Sequence, residues 1–302
     1  MALVERKTHD AHVEDAVHAL GRSGAVMAPR AEAEALAAHV FGAPVDSLPP
    51  GTEPGDESAT RFQALVARRG EGVPLGYLTG RAALSGIEVE VGPGVFVPMI
   101  VSEATLASGL KAIADIPAPT VVDLCTGSGA FALAVAHHAP GARVHAVELD
   151  QAALDYARRN SARRTALGDT PLVLHQADVT QPLTLAELDG TVDLVLSSPP
   201  YTPDEAPVPA EFGVHQPRDA VFGGPDGLRV TRHVVETAAR LLRPGGTLVI
   251  EHGPFHAESV PGLLRADERF EDVSDHPDAY VGHPLYAQAT RSRPGPSTNR
   301  RA

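Results

Sequence analysis

Apolar residues recur at helical spacing between about residue 10 and residue 70, as Val13, Val17 and Leu20, then Ala33, Leu36 and Val40, then Phe62, Leu65 and Val66. The pattern predicts three helices. Between the second and third runs lies DSLPPGTEPGDES, a polar loop rich in proline and glycine. After Arg69 the period changes. In GYLTGRAALSGIEVEVGPGVFVP, Ile87, Val89 and Val91 alternate with polar residues as in a half-buried strand, and the segment reads as a hairpin. From Thr120 onward strand-like and helix-like runs take turns: TVVDL, FALAVAHHA, RVHAVEL, QAALDYARRNSARR, LVLHQA, VDLVL, GLRVTRHVVETAARLL and TLVIEHG. Such alternation predicts an α/β domain whose parallel sheet carries helices on both faces. FEDVSD and LYAQATR lie close enough in sequence to pair antiparallel at its edge. The resulting plan is a small helical domain (1–75), a linking hairpin (76–98), an α/β domain (99–291) and a disordered tail (292–302).

Composition narrows the class without changing this plan. A chain of 302 residues with 43% hydrophobic positions buries a sizeable core. Its first fifteen residues, MALVERKTHDAHVED, carry charges throughout, so they do not read as a secretory signal. No run of 18 apolar residues occurs, which argues against a membrane span. The single cysteine, Cys125, rules out an internal disulfide and a cysteine-based zinc site, which fits a reducing cytoplasm. A net charge of −13 opposes tight binding to a phosphate backbone. The histidines show no H-E-x-x-H or comparable spacing, so no metal is expected.

The chemistry gathers where the strands end. VVDLCTGSGAFA places Gly127, Gly129 and Ala132 in G-x-G-x-x-A spacing at a strand-to-helix turn, where missing side chains let a ligand approach the backbone. Nicotinamide-dependent oxidoreductases use the same spacing. Asp123, read as part of this turn, would repel a pyrophosphate but attract the ammonium group of S-adenosylmethionine. Glu148 and Asp178 follow at the ends of the second and third strands, within reach of other parts of an adenosyl ligand. The fourth strand ends in SSPPY. Pro199 and Pro200 have no N–H, so this turn offers carbonyl acceptors, with the Ser198 hydroxyl before them and the Tyr201 ring after.

Together with VPLGYLTG (Val73 to Gly80), QPRDAVFGGPDGL (Gln216 to Leu228) and GGTLVIEHG, these motifs resemble the HemK-type family of protein (glutamine-N5) methyltransferases over almost the whole chain. Members of that family modify the Gly-Gly-Gln loop of peptide chain release factors. The resemblance implies a Rossmann-like class I methyltransferase with an N-terminal helical domain that recognises the acceptor. It implies S-adenosylmethionine as cofactor, held by Asp123, Thr126, Gly127, Gly129, Glu148, Asp178 and Ser198, and catalysis by Ser198, Pro199 and Tyr201. Two departures stand out. The family's Asn-Pro-Pro-Tyr has Ser198 in place of its asparagine, and its Ile-Pro-Arg-Pro-x-Thr-Glu segment reads VPMIVSE here, with Pro98 and Glu103 kept and Met99 replacing the arginine. The expected partner is a release factor, and the alternative is a small-molecule amine, amide or hydroxyl acceptor. S-P-P-Y also resembles the turn of cytosine-N4 DNA methyltransferases, but the acidic charge and the lack of an identifiable basic reading domain argue against direct nucleic-acid binding.

Overall fold

The computed structural model describes residues 7–277 and 282–293. Of the tail expected at 292–302, residues 294–302 lie outside the described residues, whereas Ser292 is placed and donates its N–H to the Arg269 carbonyl at 2.8 Å. The chain forms two compact units, one made of residues up to 81 with 91–93 and 207–217, the other of 82–90, 94–206 and residues from 218 onward.

In the first unit, α1 (His9–Ser23), α2 (Pro29–Phe41), α3 (Asp56–Gly70) and the one-turn α4 (Leu75–Thr79) enclose Val13, Leu20, Ala33, Leu36, Phe62, Val66 and Leu78. Thr8 caps α1 by accepting the Ala11 N–H, and Gly24 closes it in the left-handed conformation. The sequence reading treated Gly76–Thr79 as the start of the hairpin. They are helical instead, because Pro74 opens a turn that Gly80 ends at φ 77° and that buries Leu78 in the helical core. Arg69, 3% exposed, is held by Glu32 and by Glu211 of the short helix α8 (Ala210–Gly213), so segment 207–217 is tied to this unit.

The second unit opens with the hairpin strands β1 (Arg81–Leu84), whose first residue belongs to the helical unit, and β2 (Ile87–Glu90), followed by α5 (Ser102–Ala112). Then come β3 (Thr120–Leu124), α6 (Ala130–His138), β4 (Arg143–Glu148), α7 (Gln151–Ala166), β5 (Val173–Gln176) and β6 (Val192–Ser197). After the loop, α9 (Arg218–Val221), α10 (Arg229–Leu241), β7 (Leu242–Glu251), α11 (Ser259–Ala266), β8 (Phe270–Pro277) and β9 (Pro284–Arg291) complete the unit. The seven-stranded sheet has the order β5-β4-β3-β6-β7-β9-β8, parallel except where β9 pairs antiparallel with β7 and β8. Helices cover the sheet, so its central strands are apolar on both faces. Val121, Val122, Leu124, Leu194, Val195 and Leu196 are all fully buried.

Chain order reverses between β3 and β6: β4 and β5 extend the sheet on one side of β3, and β6 starts the other side. In an open α/β sheet this switch leaves a crevice at the carboxyl ends of the strands. Asp123, Glu148 and Ser198 all lie at that end. Asn160, a buried mid-helix residue of α7, accepts the Glu90 N–H at 2.7 Å and donates to the Glu90 and Ser128 carbonyls at 3.0 Å, so it fastens the hairpin to the glycine loop.

Candidate active site

All the site residues expected from the sequence belong to the second unit. Asp123 is the next-to-last residue of β3 rather than part of the turn, and only 1% of it is exposed. One carboxylate oxygen accepts the Thr126 hydroxyl at 2.5 Å and the Ala132 N–H at 3.2 Å, which ties the strand to the first turn of α6. Its other oxygen, Oδ1, is buried without a hydrogen-bond partner. Burial pushes the Asp123 carboxyl up to about 7, against the downward pull of Thr126 and Ala132.

Between β3 and α6 the chain folds back on itself. Cys125 sits at φ 64°, Gly127 at 57° and Gly129 at 84°, so three of five successive residues are left-handed. A β-carbon at Gly129 would meet Ala157 at 3.4 Å, whereas one at Gly127 would find nothing nearer than Val95 at 4.0 Å. The backbone at Gly127 is therefore open to a ligand. Burial pushes the Cys125 thiol well above its ordinary range, which makes it a packing group and not a nucleophile. Glu148 closes β4. It accepts the Gly127 N–H at 2.8 Å and the Asp150 N–H at 2.9 Å, and burial raises its pKa against these bonds. Asp178 stands two residues beyond the end of β5, not at the strand end itself. Burial pushes its carboxyl up, but hydrogen bonds from Thr180 and Gln181 outweigh this and leave it below the ordinary carboxylate range.

After β6 the two serines divide their work. Ser197 is fully buried and donates to the Leu124 carbonyl at 2.8 Å, whereas Ser198 is half-buried at the head of the proline turn. The turn rests on FGGPDGL. Gly223 donates to the Thr202 carbonyl at 2.8 Å, and Thr202 donates to the Val221 carbonyl at 3.1 Å. A β-carbon at Gly223 would lie 2.5 Å from the Pro200 carbonyl oxygen, and one at Gly227 would lie 2.4 Å from that of Tyr201. Both positions require glycine. His256 Nε2 hydrogen-bonds the Tyr201 carbonyl at 2.8 Å from the far side, and burial raises the Tyr201 phenol pKa.

The sequence reading recognised FGGPDGL but not its use, and it missed His256. Neither shows a periodic signal, because each acts on the backbone of a segment far away in the chain. It also missed Glu251, the buried last residue of β7, around which the hydroxyls of Ser198, Ser102 and Thr105 gather. Among the described residues no group of three or more His, Cys, Asp or Glu side chains is arranged to hold a metal ion, and no helix is long and apolar enough to cross a membrane.

Residues 121–210 match the methyltransferase domain family, and residues 13–80 match the PrmC N-terminal domain. The release factor glutamine methyltransferase of Mycobacterium tuberculosis strain CDC 1551 is 42% identical over 282 residues, covering 92% of this chain and 90% of its own. The chain belongs to the release factor glutamine methyltransferase family. Another such relative, from Streptomyces coelicolor, is 40% identical over 288 residues, with 94% and 98% covered. The 4-amino-L-phenylalanine/4-methylamino-L-phenylalanine methyltransferase of Streptomyces pristinaespiralis is 38% identical over 264 residues, with 84% and 86% covered.

As a member of this HemK-type family the protein is an S-adenosylmethionine-dependent methyltransferase. The residues present fit that cofactor. The unpartnered Asp123 Oδ1 is an acceptor for a cationic ammonium, the open backbone at Gly127 admits a close ligand, and the Glu148 oxygens keep lone pairs for the ribose hydroxyls.

Proposed function

We propose that this protein methylates the side-chain amide nitrogen of a glutamine in a peptide chain release factor, with the proline turn Ser198 to Tyr201 as the acceptor site. The single observation that carries this reading is the likeness to release factor glutamine methyltransferases over more than nine-tenths of the chain, which includes the helical unit as well as the sheet. When bound, S-adenosylmethionine supplies an electrophilic methyl group attached to a sulfonium.

The chain's own residues answer the difficulty of the acceptor. An amide nitrogen is a poor nucleophile because its lone pair is delocalised into the carbonyl. Ser198 Oγ and the Pro199 carbonyl accept its two N–H groups, raise electron density on nitrogen and disperse the positive charge that develops there. These contacts are tighter in the transition state than in the ground state. Tyr201 bounds the plane of the amide, with its own carbonyl fixed by His256. Asp123, Thr126, Gly127, Gly129, Glu148 and Asp178 hold the donor so that donor and acceptor meet in line. We assign acceptor recognition to the helical unit, whose family match ends at residue 80.

The small-molecule alternative is not favoured by these relatives, but the one that acts on an aromatic amine makes it the comparison the assay needs. Incubating the protein with labelled S-adenosylmethionine, a release factor and, separately, 4-amino-L-phenylalanine tests the reading. Label in the release factor supports it. Label in the amine alone overturns the acceptor assignment and leaves the methyltransferase intact.

A further inference from the structure

Ser198 has a neighbour that the chemistry described so far does not use. Ser197 and Ile250 are partners in the parallel pairing of β6 with β7, so Ser198 and Glu251 are the next residues along adjacent strands. Glu251 is 6% exposed. Hydroxyls from two directions answer its burial: Ser198 from the proline turn, and Ser102 from the first turn of α5. Both act on the carboxylate as hydroxyl donors that hold its pKa down. The Thr105 hydroxyl, one turn further along α5 and without a partner in hydrogen-bond geometry, acts on it at longer range. Burial is the largest influence on the carboxyl and raises its pKa, and the three hydroxyls oppose that rise.

A serine hydroxyl has one proton and two acceptor lone pairs, and it rotates. An asparagine at this position would carry a dedicated carbonyl acceptor. Serine offers an acceptor to an incoming N–H only if its proton is engaged elsewhere. Glu251 is the buried carboxylate that the strand register sets beside it.

We propose that Glu251 is a positioning residue for methyl transfer: it takes the hydrogen bond of the Ser198 hydroxyl and leaves the Ser198 lone pairs as the acceptor for the substrate N–H. The proposal rests on the reading that Ser198 meets the acceptor. It accounts for how a serine stands in the asparagine position without losing the acceptor function. The other titratable groups that act on this pocket are Asp123 on β3, Tyr201 in the turn and His252 beside Glu251, the last paired with Asp275 at 3.0 Å.

A double-mutant cycle with Ser198→Ala, Glu251→Gln and both together tests the coupling, using a release factor and labelled S-adenosylmethionine. The proposal expects Glu251→Gln to lower kcat about 10-fold or more with donor affinity unchanged, a loss of the size of one misplaced transition-state hydrogen bond. In the Ser198→Ala background the same change should cost less than about twofold. Full multiplicative losses overturn the coupling. A second measurement needs no acceptor, so it remains decisive if the release factor proves to be the wrong substrate. The carboxyl carbon resonance of Glu251, assigned by its disappearance in Glu251→Gln, is titrated by NMR in wild type and in Ser198→Ala. Removing the hydroxyl is expected to raise the titration midpoint, and an unchanged midpoint overturns the proposal.

Discussion

At the residue scale the account rests on two oxygens, Asp123 Oδ1 and Ser198 Oγ. Asp123 holds its proton up to about pH 7 because it is buried, with Glu148 and Glu251 adding to the effect. An ammonium beside Oδ1 favours the ionised form, so donor binding must release a proton. Affinity for S-adenosylmethionine is therefore expected to rise with pH up to about 7, by at most about tenfold per unit, and to level off above it. Calorimetry in buffers of different ionisation enthalpy reads both effects, and Asp123→Asn should weaken binding and flatten the profile. A pH-independent affinity in wild type would place the ammonium elsewhere. Ser198→Asn tests the second oxygen. If the acceptor is a carboxamide, the longer side chain restores the family's own contact, and kcat/KM on the release factor stays level or rises. If the pocket is shaped for something smaller, an unmatched amide donor costs about 1 to 3 kcal/mol, roughly 5- to 150-fold in rate.

Between elements, the glycines of FGGPDGL mould the proline turn. Gly227 has φ 73°, and a β-carbon there would press on the Tyr201 carbonyl and on His256 Nε2 at 2.7 Å. Gly227→Ala is expected to lower kcat at least about tenfold while donor affinity holds, because the displaced groups belong to the turn proposed to meet the acceptor. Equal losses in kcat and donor affinity would show that the whole crevice had moved. This is also where the sequence was least legible. Strand and helix periodicity sufficed for the sheet, its antiparallel edge pair and the three long N-terminal helices, because burial repeats along each element. The places of the glycine loop, Asp123 and Glu148 at the strand ends were readable since the turns that carry them are local in sequence. Glu251, His256 and Asn160 were not, for each works through a neighbour that only the folded chain supplies. Position 178 was read one step too simply, as a strand end, because the pairing register with β4 ends at Gln176 and the last hydrogen bond to that strand comes from the Ala177 N–H.

On the scale of the whole molecule, acceptor choice is assigned to the helical unit, and one buried cation holds part of that unit together. Arg69→Met would leave Glu32 and Glu211 facing a neutral side chain, at a cost of about 3 kcal/mol. Hydrogen exchange should show α1, α2 and α3 opening more readily while β3, β6 and β7 keep their protection. Uniform loss across both units would mean that they do not unfold separately. The central claim is that the proline turn methylates a release-factor glutamine. Its most direct test is tandem mass spectrometry of the release factor after incubation with deuterium-labelled S-adenosylmethionine and either wild type or Ser198→Ala. The account predicts one labelled methyl group on the glutamine of the Gly-Gly-Gln loop, formed at least about tenfold more slowly by the variant. A release factor left unlabelled by wild type, or a label on any other residue, would contradict it.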